Sequence, residues 1–299
     1  MPTVSLPPGV LAFAERGADW AAFVDRLPRL VTEVVEAWGL RVDGEPTHGH
    51  CALVLPVVRD GQPAVLKLGF PDDESEHEGV ALQRWAGNGA ARLLSADPHR
   101  SALLLERLHA VDLTSVDVLD ACEVVAGLYP RIHLPAPPQL RSLTSYVARW
   151  TAGLEKLPRD APVPHRLVQQ AVSLGRALVA DEASTGTLIH ADLHYENVLA
   201  ADREPWLVID PKPVSGDPHY EPAPMLWNRW DEVVASGDVR TAVRRRFHTM
   251  VDATGLDEDR ARDWVVVRMI HNASWAVIDG DPDDDYLTMC FSIAKAVQD

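Results

Sequence analysis

The sequence predicts an α+β chain in two lobes. Residues 1–107 form a small antiparallel sheet with one packed helix, and residues 108–299 form a larger, mostly helical part. Three observations predict this. Strand-like apolar runs flank a tight Asp60-Gly61 turn in the first third of the chain. Beyond Arg107, helix-like segments are parted by Pro135-Ala136-Pro137-Pro138 and by the stretch from Pro158 to Pro164. Between two of them lies a polar run, His190-Ala191-Asp192-Leu193-His194-Tyr195-Glu196-Asn197, bounded by the apolar pairs and runs Leu188-Ile189 and Trp206-Leu207-Val208-Ile209.

Taken in order, residues 13–38 carry Trp20, Phe23, Leu27, Leu30, Val31, Val34 and Val35 at three-to-four spacing, which predicts a helix. Pro28 lacks an amide hydrogen and is expected to kink or divide it. Residues 51–58 and 64–68 read as the two strands of a hairpin about Asp60-Gly61. The polar residues 71–75 include acids that suit a helix N-terminus; the helix that follows runs to about Ala86 and ends at Gly87. Arg92-Leu93-Leu94 and residues 102–105, joined by a turn at Asp97-Pro98, complete the small sheet. Helices are then expected near residues 116–133, 143–157, 165–183, 223–235, 239–253 and 258–278, with the Asp-rich stretch 279–285 as a loop or helix cap.

The chain has 299 residues, 46% hydrophobic and 24% charged, enough for two lobes with a substantial core. Lys and Arg number 28 against 44 Asp and Glu, a formal charge of −16. This argues against nucleic acid or an anionic membrane as partner, since both need a basic surface. It would suit a cationic substrate, and it also serves solubility. Cys51, Cys122 and Cys290 are odd in number and far apart, so they form neither a disulfide framework nor a zinc pair. Cys51 and Cys290 lie in apolar contexts and read as small core residues. No basic segment precedes an apolar one at the N-terminus, and no apolar run approaches a membrane span, so a reduced cytoplasm is the expected compartment.

The polar run reads H-x-D-L-x-x-x-N, and Asp210 follows Asn197 by thirteen residues. Asp192 can accept a proton from a hydroxyl nucleophile. Asn197 and Asp210 can hold Mg²⁺ against nucleotide phosphates, because Mg²⁺ prefers oxygen ligands and takes one or two carboxylates. This is the layout of a phosphoryl-transfer site. A turn with capping acids would explain Asp192 alone. A rival chemistry uses the same residues. His190, Asp192 and His194 alternate, and on a strand they would share one face and bind zinc or a metal pair that activates water. That reading leaves Asn197 and Asp210 without a role.

Lys67 lies in Ala64-Val65-Leu66-Lys67-Leu68, where burying its ammonium is costly without a partner. It either faces water or binds nucleotide phosphates, with Glu78 as its partner. Glu74 and Glu76 compete for that place, and Glu78 is preferred because it directly precedes the apolar face Val80, Leu82 and Trp85. Residues 44–50 contain no G-x-G-x-x-G. Backbone amides around Thr47 to Gly49 are candidate phosphate donors, and an ordinary β-turn is the alternative.

These motifs resemble the aminoglycoside phosphotransferases, and more closely the streptomycin kinase and hydroxyurea-resistance kinase branch, over residues 64–230. Ala64–Leu68, Gly89-Ala90-Ala91-Arg92-Leu93-Leu94, Ala102-Leu103-Leu104-Leu105-Glu106-Arg107-Leu108, the run from His190, Val208-Ile209-Asp210-Pro211-Lys212 and Gly216-Asp217-Pro218-His219-Tyr220-Glu221 carry the likeness. The resemblance implies a two-lobed protein-kinase-like fold with ATP, or another nucleoside triphosphate, in its cleft. It implies Asp192 as catalytic base, Asn197 and Asp210 as Mg²⁺ ligands and Lys67 on phosphate. It further implies that the Glu106 and Leu108 backbone pairs with the base, that His190 supports the catalytic loop and that Glu221 braces it. Asp210 is followed by Pro211 and Lys212, not Phe and Gly, and His190 by Ala191, not Arg. Both departures favour a constitutively active small-molecule kinase. The implied acceptor is a small hydroxylated molecule, foremost a cationic aminoglycoside of the streptomycin kind, with hydroxyurea, sugars and amino alcohols as alternatives. Asp231, Glu232 and the acids of 279–285 are candidates to bind its cationic groups. A nucleotide-binding module without turnover is the reading of a different class.

Overall fold

Residues 5–280 and 283–298 are described in the computed structural model. A short helix α1 (Pro8–Leu11) and a 3-10 turn (Ala12–Arg16) lead into α2 (Ala18–Ala37). The break expected at Pro28 falls at Gly17 instead. Gly17 has φ 140°, a region essentially restricted to glycine, whereas Pro28 is exposed within a continuous α2 and forfeits only its own amide bond. Phe23, Leu27, Val31 and Val34 recur at helical spacing along α2 and are all buried.

They pack on one face of an antiparallel sheet made by β1 (Arg41–Val42), β2 (Thr47–His48), β3 (Ala52–Arg59) and β4 (Gln62–Gly69), followed after α3 (Glu78–Trp85) by β5 (Leu93–Asp97) and β6 (Ala102–Glu106). Among the described residues the order is β1-β3-β4-β6-β5, with β2 on β3. The β3–β4 turn is the predicted one: Asp60 (φ 52°) and Gly61 (φ 78°) are both left-handed, which matches the strand twist. Alternation then sorts the side chains. Leu53, Leu55, Val57, Leu66 and Leu68 join the α2 core. Lys67, opposite Val54 and Leu103, faces the other way, where Glu78 of α3 meets it. α3 starts at Glu78 because residues 73–77 form turns, and it ends at Ala86, left-handed at φ 50°, just before Gly87.

The second unit holds α4 (Val118–Ile132), β7 (Leu134–Pro135), α5 (Leu143–Leu154), α6 (His165–Ala180), β8 (Thr187–Ile189), β9 (Val198–Ala200), β10 (Trp206–Val208) and β11 (Val214–Gly216). It ends with α7 (Ala223–Trp227), α8 (Trp230–Ala235), α9 (Val239–Thr254), α10 (Glu258–Ile278) and α11 (Asp284–Ala296). The division between the two units falls after residue 109. The single helix expected over 223–235 is two, because Arg229 adopts φ 54° while its guanidinium reaches the Leu113 and Val116 carbonyls. Asp283 caps α11 by accepting from Asp285 N; Asp281 of the acidic run lies outside the described residues. α10 is the central helix: residues 264–274 are all buried, packed by α5, α6, α7, α9 and α11. Cys122 and Cys290 are buried, and Cys51, expected in the core, is only half-buried at the end of the β2–β3 turn. No helix among the described residues is long and apolar enough to cross a membrane.

Asp217 anchors α10 to the loop after β11. Its buried carboxylate accepts from Trp264 Nε1 (2.7 Å), Arg260 Nε (2.6 Å) and His219 N and Nδ1 (3.0 and 2.6 Å). Burial pushes the carboxyl up, but the bonds from His219 and Trp264 outweigh it and hold it below the usual carboxylate range. Its contribution to stability is therefore complete above the unfolded value of about 3.9 and is lost as pH falls through the folded one. Asp217→Ala leaves the buried Trp264 indole without its acceptor and removes one of the two carboxylates on Arg260, whose other partners are Asp181 and Ser184, and is expected to cost about 2–4 kcal/mol in urea unfolding at neutral pH. A loss below about 1 kcal/mol would show that the network is peripheral.

Candidate active site

Two short strand pairs shape the polar run. β8 pairs with β11 (Ile189↔Val214), and Lys212 N donates to His190 O (2.9 Å), so the run leaves the sheet at His190. β9 pairs with β10 (Val198↔Val208), and Ile209 N donates to Asn197 O (2.9 Å) one step further on. The same hairpin thus carries Asn197 and Asp210 at its open end, with Asp210 one residue beyond the partner of Asn197. Asn197 Nδ2 donates back to Asp192 O (2.8 Å), which ties the third member of the set to the first two. The amide nitrogen is committed, and Oδ1 is the atom left to act as a ligand. Asn197 Oδ1 and the Asp210 carboxylate are hard oxygen donors, a set that fits Mg²⁺.

The loop is braced from several directions. His190 Nε2 donates to Ile209 O (2.9 Å), and its Nδ1 accepts from Asp192 N (3.3 Å). These two bonds define the neutral tautomer, and burial keeps the ring neutral by lowering its pKa. His190 N donates to Glu221 Oε1 (2.5 Å), and His133 Nε2 lies 3.5 Å from the same oxygen. Burial raises the Glu221 carboxyl, and His133 with His190 outweighs that and holds it ionised. Ala191 (φ 63°) and Asp210 (φ 53°) are both left-handed without being glycine. Each costs about 1–2 kcal/mol of backbone strain, which the surrounding bonds must offset.

Arg268 supplies much of that offset. It is buried on α10 and donates to the Ala191 and Tyr220 carbonyls, with its guanidinium over the Tyr220 and Trp227 rings at 4.3 and 4.7 Å. Sequence reading passed over this residue, although an arginine inside the apolar stretch Trp264–Ser274 is costly enough to demand a partner. Burial raises Asp192 to about 6, against the pull of Arg268, His190 and Lys212 and with a push from Asp210. Lys212 Nζ lies 3.7 Å from Asp210 Oδ1.

The zinc arrangement does not form. Residues 190–194 lie outside any strand, so His190, Asp192 and His194 share no face, and both His190 nitrogens are committed. Among the described residues no group of three His, Cys, Asp or Glu side chains could hold a metal ion.

In the first unit Lys67 Nζ meets Glu78 Oε2 at 2.6 Å, with both side chains largely buried, as the preference for Glu78 expected. Thr47 lies in β2, opposite Val54, and Gly49 N is committed to Ala52 O (3.0 Å). The turn after β2 therefore closes on itself and does not offer the Gly49 amide. Glu106 ends β6; its N donates to Arg92 O (3.0 Å) and its Oε1 accepts from Arg92 N (2.8 Å), while Leu108 follows two residues beyond. Asp231 and Glu232 are exposed at the start of α8, and Glu232 holds Arg229 through both oxygens (2.7 and 2.9 Å). Glu232 thus serves the α7–α8 corner.

Comparison with known proteins gives this geometry its context. The family described as aminoglycoside/hydroxyurea antibiotic resistance kinase matches residues 37–280. The chain is 44% identical to a streptomycin 6-kinase of Streptomyces glaucescens, over 90% of this chain and 88% of the relative. It is also 44% identical to a hydroxyurea phosphotransferase of Kitasatospora aureofaciens, over 89% of this chain and 77% of the relative. In fold it is similar to an aminoglycoside phosphotransferase crystallised with ADP and hygromycin B, with TM-score 0.60 and 16% identity over 90% of this chain and 98% of that one. A small antiparallel sheet, a helical second unit and a braced H-x-D-L-x-x-x-N loop agree with that likeness, and the chain belongs to the aminoglycoside/hydroxyurea antibiotic resistance kinase family.

Proposed function

We propose that this chain transfers the γ-phosphoryl group of ATP, with Mg²⁺, to a hydroxyl of a cationic aminoglycoside of the streptomycin type. The observation that carries the reading is the hairpin that holds Asn197 and Asp210 at one end while the Asn197 amide ties down Asp192. In this reading Asp192 orients the acceptor hydroxyl and takes its proton as the O–P bond forms. Asn197 and Asp210 hold Mg²⁺, which neutralises charge on the transferring phosphoryl group when bound. Lys67, aimed by Glu78, binds the α- and β-phosphates, and the backbone of Glu106 and Leu108 meets the adenine. Arg268, His190 and Glu221 touch neither reactant and act by fixing the loop. The charge of −16 favours approach of a cation, in a chain with a reduced cytoplasm as its setting. The equal identity to a hydroxyurea phosphotransferase makes hydroxyurea the second acceptor to test. ADP release measured with streptomycin, hydroxyurea, neutral sugars and amino alcohols decides between them: streptomycin is expected to give the highest kcat/KM, and a preference for a neutral sugar would refute the acceptor assignment.

Asp192→Ala is expected to lower kcat by roughly 10²–10⁴ and to leave the Kd for nucleotide within about twofold. Turnover close to the parent's would remove Asp192 from the role of base. Because Asp192 must be ionised to act, kcat falls as pH drops below about 6. A divalent cation at Asp210 offsets the carboxylate that pushes Asp192 up, so the limb lies at or below that value with metal bound. An acid limb well above it would place the titration on another group.

Asp210→Asn keeps the shape of the side chain and removes its charge. Both the apparent Mg²⁺ affinity and kcat should fall, and Asn197→Ala should produce a smaller loss of each. Magnesium titrations of the two variants check the order, and an unchanged Mg²⁺ requirement in Asp210→Asn would count against the metal assignment.

A further inference from the structure

Helices α5 and α10 gather three aromatic side chains near the catalytic loop. Tyr146 and Trp150 stand one turn apart on α5, and Trp275 meets them from α10. The Trp150 and Trp275 ring centroids are 4.6 Å apart, and Tyr146 lies 6.0 and 6.1 Å from each, all edge to face. Two elements place this cluster relative to Asp192. Trp275 follows Arg268 by two helical turns, so it shares the same face about 10 Å along the axis. Arg268 is the residue that grips the carbonyl of Ala191, next to Asp192. On the other side, Tyr146 packs against the core cluster that contains Ala191.

The polar chemistry of the cluster is incomplete. The indole nitrogens of Trp150 and Trp275 are both buried, and neither has a hydrogen-bond acceptor among the described residues. Buried donors are nearly always paired, and two unpaired donors on touching rings are not what packing alone selects, since an apolar contact has no use for an N–H. Both rings are partly exposed, so the cluster has an open side. The exposed Arg149 already lays its guanidinium over the ring faces, 5.2 Å from Trp150 and 5.7 Å from Tyr146. Those faces therefore seat a planar cation, as the ring quadrupole allows.

We propose that Tyr146, Trp150 and Trp275 form the part of the acceptor site remote from the reacting hydroxyl, built for a hydroxylated ring that carries guanidinium groups. As the two partly exposed indoles turn toward the ligand, their N–H groups donate to ring hydroxyl oxygens, and a guanidinium takes the place of Arg149 over the aromatic faces. The proposal rests on the reading of the chain as a small-molecule kinase whose acceptor reaches Asp192.

The test is calorimetric titration of the full chain with streptomycin, without nucleotide, beside steady-state kinetics. Trp150→Phe and Trp275→Phe keep an aromatic face and remove the N–H. Each is expected to raise the streptomycin Kd and the acceptor KM about tenfold, with kcat and the KM for ATP within about twofold, the mark of a uniform binding contact. Arg149→Ala, which unveils the ring faces, is expected to tighten streptomycin binding. A Kd unchanged in both Trp variants, with melting temperatures like the parent's, overturns the proposal, as does absence of streptomycin binding by the parent. Should one Trp variant be unstable, the other and Arg149→Ala decide the matter. Binding that weakens in the variants, from a parent that turns over no acceptor, supports the subsite and refutes the kinase reading. Turnover by the parent with unaffected variants does the reverse.

Discussion

Two left-handed residues that are not glycine, Ala191 and Asp210, impose the constraint on which the rest of the site depends. They turn the chain so that Asp192 and the Asp210 carboxylate leave the backbone beside Asn197, and each carries a strain of about 1–2 kcal/mol. Neutral hydrogen bonds return only about 0.5–1.5 kcal/mol each, whereas bonds to charged groups return about 1.5–3. This difference gives weight to the two charged braces that stand beside the neutral ones from His190 and Asn197. Glu221 takes the His190 amide, and Arg268 holds the carbonyl of Ala191 itself. Uncharged partners of the same shape would leave the turn barely compensated.

The same economy appears in the first unit. Lys67 sits on the sheet face opposite the α2 core, where its ammonium would be costly without Glu78. The pair fixes the direction of the lysine through α3, whose start at Glu78 is set by the turn before it. Both units thus spend buried charge to aim a functional group.

Much of this was legible in the sequence, because the informative spacings are local. Residues 258–278 read as one helix with both ends correct, and the Asp60-Gly61 hairpin and the Lys67–Glu78 pairing followed from alternation and the apolar face behind Glu78. What stayed hidden depends on partners distant in the chain. The break at Arg229 exists because its guanidinium reaches carbonyls more than a hundred residues away. Arg268 reads as a helical residue until Ala191 is seen beneath it. Glu232 looked like a free acid for a cationic ligand and is the clasp of that same Arg229. The turn after β2 has no glycine signature because it closes as an ordinary hairpin, Gly49 to Ala52.

The arrangement makes one chemical commitment. In the proposed reading Asp192 as base, Asn197 and Asp210 as metal ligands and Lys67 on phosphate serve transfer to a hydroxyl, not attack by water. The most direct measurement is phosphorus NMR of the products formed from MgATP and streptomycin. The account predicts ADP together with a new phosphomonoester resonance split by a proton on the acceptor carbon. ADP with inorganic phosphate alone, and an unaltered acceptor, would contradict it.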